Sequence, residues 1–416
     1  MVGLYVDYLH CSSPAVKVQV TQTTLLTLRE RRDTVDQERL GERLRKAREQ
    51  ARLNQTDAAQ ALRLTPAALN QYESGKRRVD ALMLDRLSRL YGVPIRFFFG
   101  GETSRADWEE ALLLRADGLS PESRAGISRL IEKVHALEEL YRRTGVSLPT
   151  PAHPPFGPLA EAMFSHDEVA LWADKARRHF DLGVAPLADL SRFLETQGYQ
   201  VFTISFGEGE GHLSGLFFLH PDLGPIVAVN EDQDYTRRPF TLAHEFAHGL
   251  YHYDRLAILC RTRDPRPMEL FADRFAAHFL VPTEALRERL RDLRLQTVRR
   301  PEDVVHLARF FGVSYQSMLQ RLESERLLAR PRDAFVTRPV TLAHALGYAV
   351  SPYEFGTRPL PVEERLPRVF LELAYQAVSE KKLSLRRVAE MLGVSNLELD
   401  ERLNPQMGEE PVEVYA

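Results

Sequence analysis

The sequence predicts a multidomain, mainly α protein: an all-helical N-terminal module, a central α+β domain with a small sheet, and a helical C-terminal region. Three observations predict it. The 416 residues exceed the usual size of one domain, so two to four are expected. Apolar residues recur at helical spacing along most of the chain, whereas β-prone runs cluster between residues 199 and 230. Five prolines in the ten residues 149–158 cannot sustain a helix and mark a boundary.

Composition narrows the class. With 44% hydrophobic and 27% charged residues the chain is an ordinary globular protein, not a disordered, collagenous or rod-like one. No apolar run approaches the roughly 18 residues of a membrane span, and no basic segment precedes a signal-peptide core, so no membrane partner and a cytoplasmic location are expected. The two cysteines, Cys11 and Cys260, fall in different domains, which excludes a disulfide framework and a cysteine-only zinc site. The net charge of -3 hides an asymmetry: residues 39–99 hold 13 Lys and Arg against 6 Asp and Glu, leaving 42 against 52 elsewhere. A basic module on an acidic body is the electrostatic footprint of nucleic-acid binding confined to that module.

The elements follow in order. Residues 1–36 form an N-terminal arm without a clear period. Residues 37–100 read as four or five short helices separated by turns. Residues 101–148 carry two amphipathic stretches, broken at Gly118–Pro121, that could serve as a connector or as a dimer-forming pair. The Pro-rich linker 149–158 comes next. In residues 159–325, helical patterns at 167–180 and 186–197 give way to strands at 199–205, 213–219 and 226–230, then to helices at 239–253 and 267–280. Residues 326–416 are mostly helical. Two stretches, 302–322 and 385–403, read as helix, Gly-Val-Ser turn, helix; their second helices are poor in basic residues, which favours packing or protein contact over DNA reading.

The most informative pentad is His244, Glu245, Phe246, Ala247, His248. Residues four apart share a helix face, so both imidazoles can meet one ion with Glu245 beside it. Leu242, Phe246 and Leu250 turn toward a core, which places the histidines on the polar face. A catalytic zinc site takes three protein ligands and leaves a position to water, so a third ligand is required downstream. Glu269, on the next predicted helix, is the choice; Asp273, one turn on, can hold a ligating imidazole through a hydrogen bond. The rival is Asp254, ten residues after His244, but that spacing needs a turn-permitting glycine at 251, where this chain has Tyr251. His252 and His278 are further candidates, each read in preference as a polar residue on its helix surface.

These blocks resemble the ImmA/IrrE family of zinc metallopeptidases. The resemblance runs through Arg237, Arg238, Pro239 and Phe240 to His248, then from Glu269 through Ala272, Asp273, Phe275, Ala276 and Ala277 to Leu280 and Pro282, and covers roughly residues 159–322. It implies a zincin-like domain with Zn2+ held by His244, His248 and Glu269 and with Glu245 as catalytic acid/base. Asp273 is a departure, since the family often has asparagine there; either side chain accepts a hydrogen bond. In such a site zinc activates water for attack on a peptide carbonyl, and Glu245 moves the proton to the leaving amine. Tyr235, Arg237 and Tyr251 are candidates for oxyanion help.

In the basic module, Asn54 with Asp57 three residues on starts one helix, and Thr65 with Pro66 starts another two or three residues after the first ends. That tight pairing is helix-turn-helix in form, with Arg63 where glycine is commonest in the turn. The segment 44–93 resembles the lambda-repressor-like XRE family in Gln55, Ala58, Ala59, Leu62, Leu69 and the run from Tyr72 to Arg77. The resemblance implies a second helix in the major groove, with Thr65, Ala67, Ala68, Asn70 and Gln71 at base edges. Gln55, Lys76, Arg77 and Arg78 would contact phosphates, and Glu73 would be a partner within the fold. Such domains bind palindromic duplex operators as homodimers. Together the readings predict a DNA-binding regulator fused to a zinc peptidase that cleaves an XRE-type repressor, or itself, under stress. A non-proteolytic sensor and a peptidase activated by single-stranded DNA are the alternatives.

Overall fold

The computed structural model describes residues 37–403, apart from 50, 52, 94, 100–106, 117, 150–153, 160–162, 210, 262–263 and 357–358. The arm 1–36, with Cys11, and residues 150–153 of the Pro-rich stretch therefore lie outside the described residues. Contacts divide the chain into two units, residues 37–91 with 95–99, and the remainder.

The first unit is all-helical: α1 (37–49), α2 (Gln55–Ala61), α3 (Pro66–Glu73), α4 (Ala81–Tyr91) and a 3-10 turn, Ile95–Phe99. Asn54 caps α2 by accepting from the Asp57 N–H, and Thr65 caps α3 by accepting from the Ala68 N–H, with Pro66 in the first turn. Each such cap contributes about 1 kcal/mol. Leu44, Ala47, Ala58, Ala59, Leu69 and Leu87 are fully buried between the helices. Glu73 is buried and receives the Arg48 guanidinium at 2.5 and 3.2 Å, tying α3 to α1 as a structural partner. The close approach of α1 to the end of α3 needs Gly41, because a Cβ there would lie 2.6 Å from the Glu73 carbonyl oxygen.

The second unit is built on one four-stranded sheet: β1 (Gln200–Ile204), β2 (Leu213–His220), β3 (Gly224–Asn230) and β4 (Ala257–Arg261), ordered β1-β3-β2-β4. β1 runs parallel to β3; β2 is antiparallel to both β3 and β4. The period-2 alternation divides apolar residues between two layers, so that Val227 and Val229 enter one core while Ile226 and Ala228 enter the other. Both faces are thus covered. On the first face lie α7 (His166–His179), α8 (Leu190–Thr196), α9 (Arg238–Tyr251), α10 (Pro267–Leu280), α11 (Thr283–Asp292), α12 (Pro301–Phe311), α13 (Tyr315–Ser324) and α14 (Pro339–Ala345). On the second lie α5 (Asp107–Arg115), α6 (Pro121–Thr144), α16 (Arg368–Ser379), α17 (Leu385–Leu392) and α18 (Asn396–Leu403), with the short α15 (Val362–Arg365) beside β1.

Three features depart from the sequence reading. Residues 108–143, read as a connector or dimerising pair, are core elements here: Ile127, Leu130, Val134 and Leu137 recur at helical spacing and pack on the sheet. β4 was not foreseen. And α9 has no solvent-facing side from Thr241 to Tyr251, because the sheet, α8 and α10 enclose it; the polar face that carries the histidines is itself buried. The α17–α18 pair buries Val388, Ala389, Met391, Leu392 and Leu399, and Lys133 of α6 donates to the Met391 carbonyl, so this helix-turn-helix shape is used for packing. Among the described residues no helix is long and apolar enough to cross a membrane.

Arg63, in the turn between α2 and α3, has φ of 56°, the left-handed region that costs a side chain about 1–2 kcal/mol. Glycine removes that strain but gains unfolded-state freedom. Arg63→Gly is therefore expected to stabilise the first unit by about 0.5–1 kcal/mol, read as slower amide hydrogen exchange in α2 and α3.

Candidate metal centre

α9 and α10 pack side by side, and their facing turns bring together the three residues singled out as ligands. His244 Nε2 lies 3.1 Å from His248 Nε2 and 3.2 Å from Glu269 Oε2, while His248 Nε2 lies 3.7 Å from that oxygen. All three residues are at least nine-tenths buried. An imidazole proton relieves the lone-pair repulsion of one such contact, and a cation held among the three atoms relieves it for all of them. A tetrahedral ion with bonds of about 2.0–2.1 Å has ligand–ligand edges of about 3.3 Å, so the triangle has the dimensions of such a site. The donor set of two imidazoles and one carboxylate is the kind zinc accepts.

The outer contacts orient these donors. Asp273 Oδ1 is 2.9 Å from His244 Nδ1, and His252 Nδ1 is 3.0 Å from His248 Nδ1. Both imidazoles are thereby turned to present Nε2 inward. Arg266 donates to the outer oxygen Oε1 of Glu269 at 3.1 Å, leaving Oε2 for the centre. Burial lowers the proton affinity of His244, but its bonds to Asp273 and Glu269 overcome this and hold it well above the usual imidazole range. Burial drives His248 the other way, down to about 4. Burial would raise Glu269, yet the two imidazoles hold its carboxyl well below the usual range. Glu269 is thus kept an anion and His248 neutral, the states in which a carboxylate and an imidazole ligate a metal.

Glu245 is fully buried beside the triangle, against β2. Burial, reinforced by the charge of Glu269 and opposed by His244, pushes its carboxyl up to about 8. Its Oε2 accepts from the Cys260 thiol at 3.4 Å, and its Oε1 finds no hydrogen-bond partner among the described residues. Gly215 of β2 makes room for it: a Cβ there would lie 2.5 Å from Oε1.

Other candidates fall elsewhere. Asp254 is exposed in the turn after α9 and does not join the cluster. His252, read as a surface residue, is buried and supports His248; His278 is also buried, but accepts from Arg321 at 3.1 Å away from the centre. The Tyr251 hydroxyl is spent on the Trp172 carbonyl inside the core. Tyr235 and Arg237 line a groove of about 1630 Å³ that also reaches His244, Asp273, Arg261 and Tyr315. Sequence reasoning missed Cys260 and Arg266. The position of Arg266, one turn before Glu269 on the same helix start, was a usable signal; the approach of β4 was not.

Comparison with known families adds the decisive observation. The model of the IrrE N-terminal-like domain, Peptidase M78, matches residues 194–323, a span that contains both α9 and α10. The chain carries an IrrE-like domain. A helix-turn-helix model of the XRE type matches residues 44–98, so the IrrE-like domain is fused to a DNA-binding module. No curated protein matches the chain.

In that module the sequence-predicted residues separate by exposure. Thr65, Ala67, Asn70 and Gln71 are exposed on α3 and Ala68 is half-buried. Lys76, Arg77 and Arg78 are exposed in the turn that follows, with Arg77 lying over the Tyr72 ring. Gln55 is half-buried and directs its amide to Glu73 at 3.1 Å and Asn70 at 3.4 Å, so it also joins α2 to α3.

If the triangle holds a metal, zinc at 100 times its dissociation constant should raise the stability of the IrrE-like domain by about 2.7 kcal/mol. Thermal denaturation of chelator-treated protein, with and without added zinc, should show that gain in the native chain and in Glu245→Gln. His248→Ala and Glu269→Gln should lose it.

Proposed function

We propose that this chain is a DNA-binding regulator whose IrrE-like domain is a zinc-dependent endopeptidase, with His244, His248 and Glu269 as ligands and Glu245 as acid/base. The observation that carries the reading is the buried donor triangle with an unpartnered carboxylate oxygen, Glu245 Oε1, beside it. Zinc, when bound, supplies Lewis-acid polarisation of a peptide carbonyl and makes water a stronger acid.

The remaining chemistry belongs to the chain. Glu245, with proton affinity near the neutral range, can take a proton from the attacking water and return it to the departing amine. Asp273, His252 and Arg266 hold the ligands in register for that exchange. The groove is larger than a typical small-molecule pocket of about 300–1,000 Å³, which suits an extended polypeptide. Of the two candidates for oxyanion help on its wall, the Tyr235 hydroxyl is engaged by the Glu364 carboxylate at 3.2 Å, which leaves Arg237 as the donor we propose.

The substrate we propose is a repressor of the same helix-turn-helix class, a second copy of this chain, or the chain itself, cleaved in a stress or DNA-damage response. The fused module supports this by bringing the peptidase to the operators where such repressors sit, and it is expected to act as a homodimer on duplex DNA. In that complex Thr65, Ala67, Ala68, Asn70 and Gln71 face base edges, and Gln55, Lys76, Arg77 and Arg78 face phosphates.

Zinc-loaded protein incubated with candidate repressors should cleave one of them. Glu245→Gln should keep the metal and abolish cleavage; Gly215→Ala, which crowds Oε1, should cut turnover by about 100-fold with metal content unchanged. Zinc-loaded protein that cleaves nothing yet binds duplex DNA would indicate a sensor, and cleavage stimulated equally by any single strand would indicate a single-strand-activated peptidase. On duplex DNA, Asn70→Ala or Gln71→Ala should cost about 1–3 kcal/mol and relax base preference in binding titrations. Arg77→Ala should weaken binding to all sequences alike and lower the salt slope by about 1.

A further inference from the structure

Cys260 lies on β4, in the wall of the metal pocket, and nothing in the peptidase reading uses it. It is fully buried, and its Sγ lies with His244, His248 and Glu269 in a set whose ligand atoms are all within 4.8 Å of one another. The local fold aims it there. β2 and β4 pair with a register shift between Leu213 and Gly215, a bulge of the kind that re-aims side chains beside functional sites, and Gly215 stands opposite Cys260. Because Gly215 has no side chain, the space between β2 and α9 is shared by the Glu245 carboxylate and the Cys260 sulfur.

We propose that Cys260, as a thiolate, is a fourth protein ligand to the ion held by His244, His248 and Glu269 in the resting protein, closing the site until substrate displaces the sulfur. This rests on the metal reading above. Two imidazoles, a carboxylate and a thiolate form a closed four-ligand set, the mark of a structural site, whereas hydrolysis needs one position open. The step balances without any redox change. On ligation the S–H bond breaks, the sulfur binds the metal and the proton is released to water; on displacement the sulfur takes a proton back from water. Displacement of the sulfur thus opens the coordination position that hydrolysis needs.

The test uses cobalt in place of zinc, because a thiolate bound to Co2+ gives an intense sulfur-to-metal charge-transfer absorption that nitrogen and oxygen ligands do not. The full chain has two cysteines, so in Cys11→Ser the sole thiol is Cys260. Full-length native protein and Cys11→Ser, loaded with one Co2+ per chain, should both show the band. Cys260→Ser should bind cobalt and lose it entirely. Cobalt bound without the band in Cys11→Ser overturns the thiolate ligand and leaves the metal reading standing, even if Cys260→Ser fails to fold. A band that survives in Cys260→Ser overturns it as well, and failure of every form to bind cobalt overturns both readings.

Discussion

Two imidazole nitrogens and a carboxylate oxygen crowd within 3.7 Å of one another in a largely buried pocket at the edge of the groove, and most of the IrrE-like domain can be understood as the scaffold that makes this crowding tolerable. Lone pairs so close are acceptable when they share positive charge. The domain supplies that condition in layers: α9 and α10 fix the donors, Asp273, His252 and Arg266 turn them inward, and the sheet seals the floor. The aromatic packing behind the site has the same purpose. Phe246 sits between the two histidines in sequence and faces away from them, among Phe180, Phe193, Tyr199 and Phe279, so the turn that carries the donors cannot rotate without breaking that cluster.

The same burial decides what Glu245 can do. A carboxylate sealed against β2, with room secured by Gly215, has its proton affinity pushed up to about 8, which suits the acid/base role proposed for it. An exposed glutamate would stay ionised near neutrality and return the proton poorly. The cost is a buried carboxylate with one oxygen that has no hydrogen-bond partner among the described residues, a local cost to stability of the sort expected where function and folding compete.

Much of this was legible in the residues. The spacing of His244 and His248 specifies a shared helix face, and the three-ligand requirement of an open zinc site pointed to the carboxylate that opens the next helix, with Asp273 one turn on. The capping residues Asn54 and Thr65 placed α2 and α3 because caps are local chemistry. What was missed is long-range. β4 is five residues between two helices, too short for a period, so the sequence tests Cys260 only against a disulfide framework and a cysteine-only zinc site. Helical periodicity assigns a face but not what covers it, so His252 was read as a surface residue, and nothing local reveals that the Gln55 amide is held by Glu73, 18 residues on. The helices at 108–143 were left without a partner because the sheet they cover begins more than fifty residues later.

The central claim is a place for an ion, and anomalous diffraction at the zinc edge from crystals of the zinc-loaded chain tests it most directly. The account predicts one strong peak about 2.0–2.2 Å from His244 Nε2, His248 Nε2 and Glu269 Oε2 together. A zinc-loaded crystal with the peak elsewhere, or with these three atoms facing empty space, would contradict it.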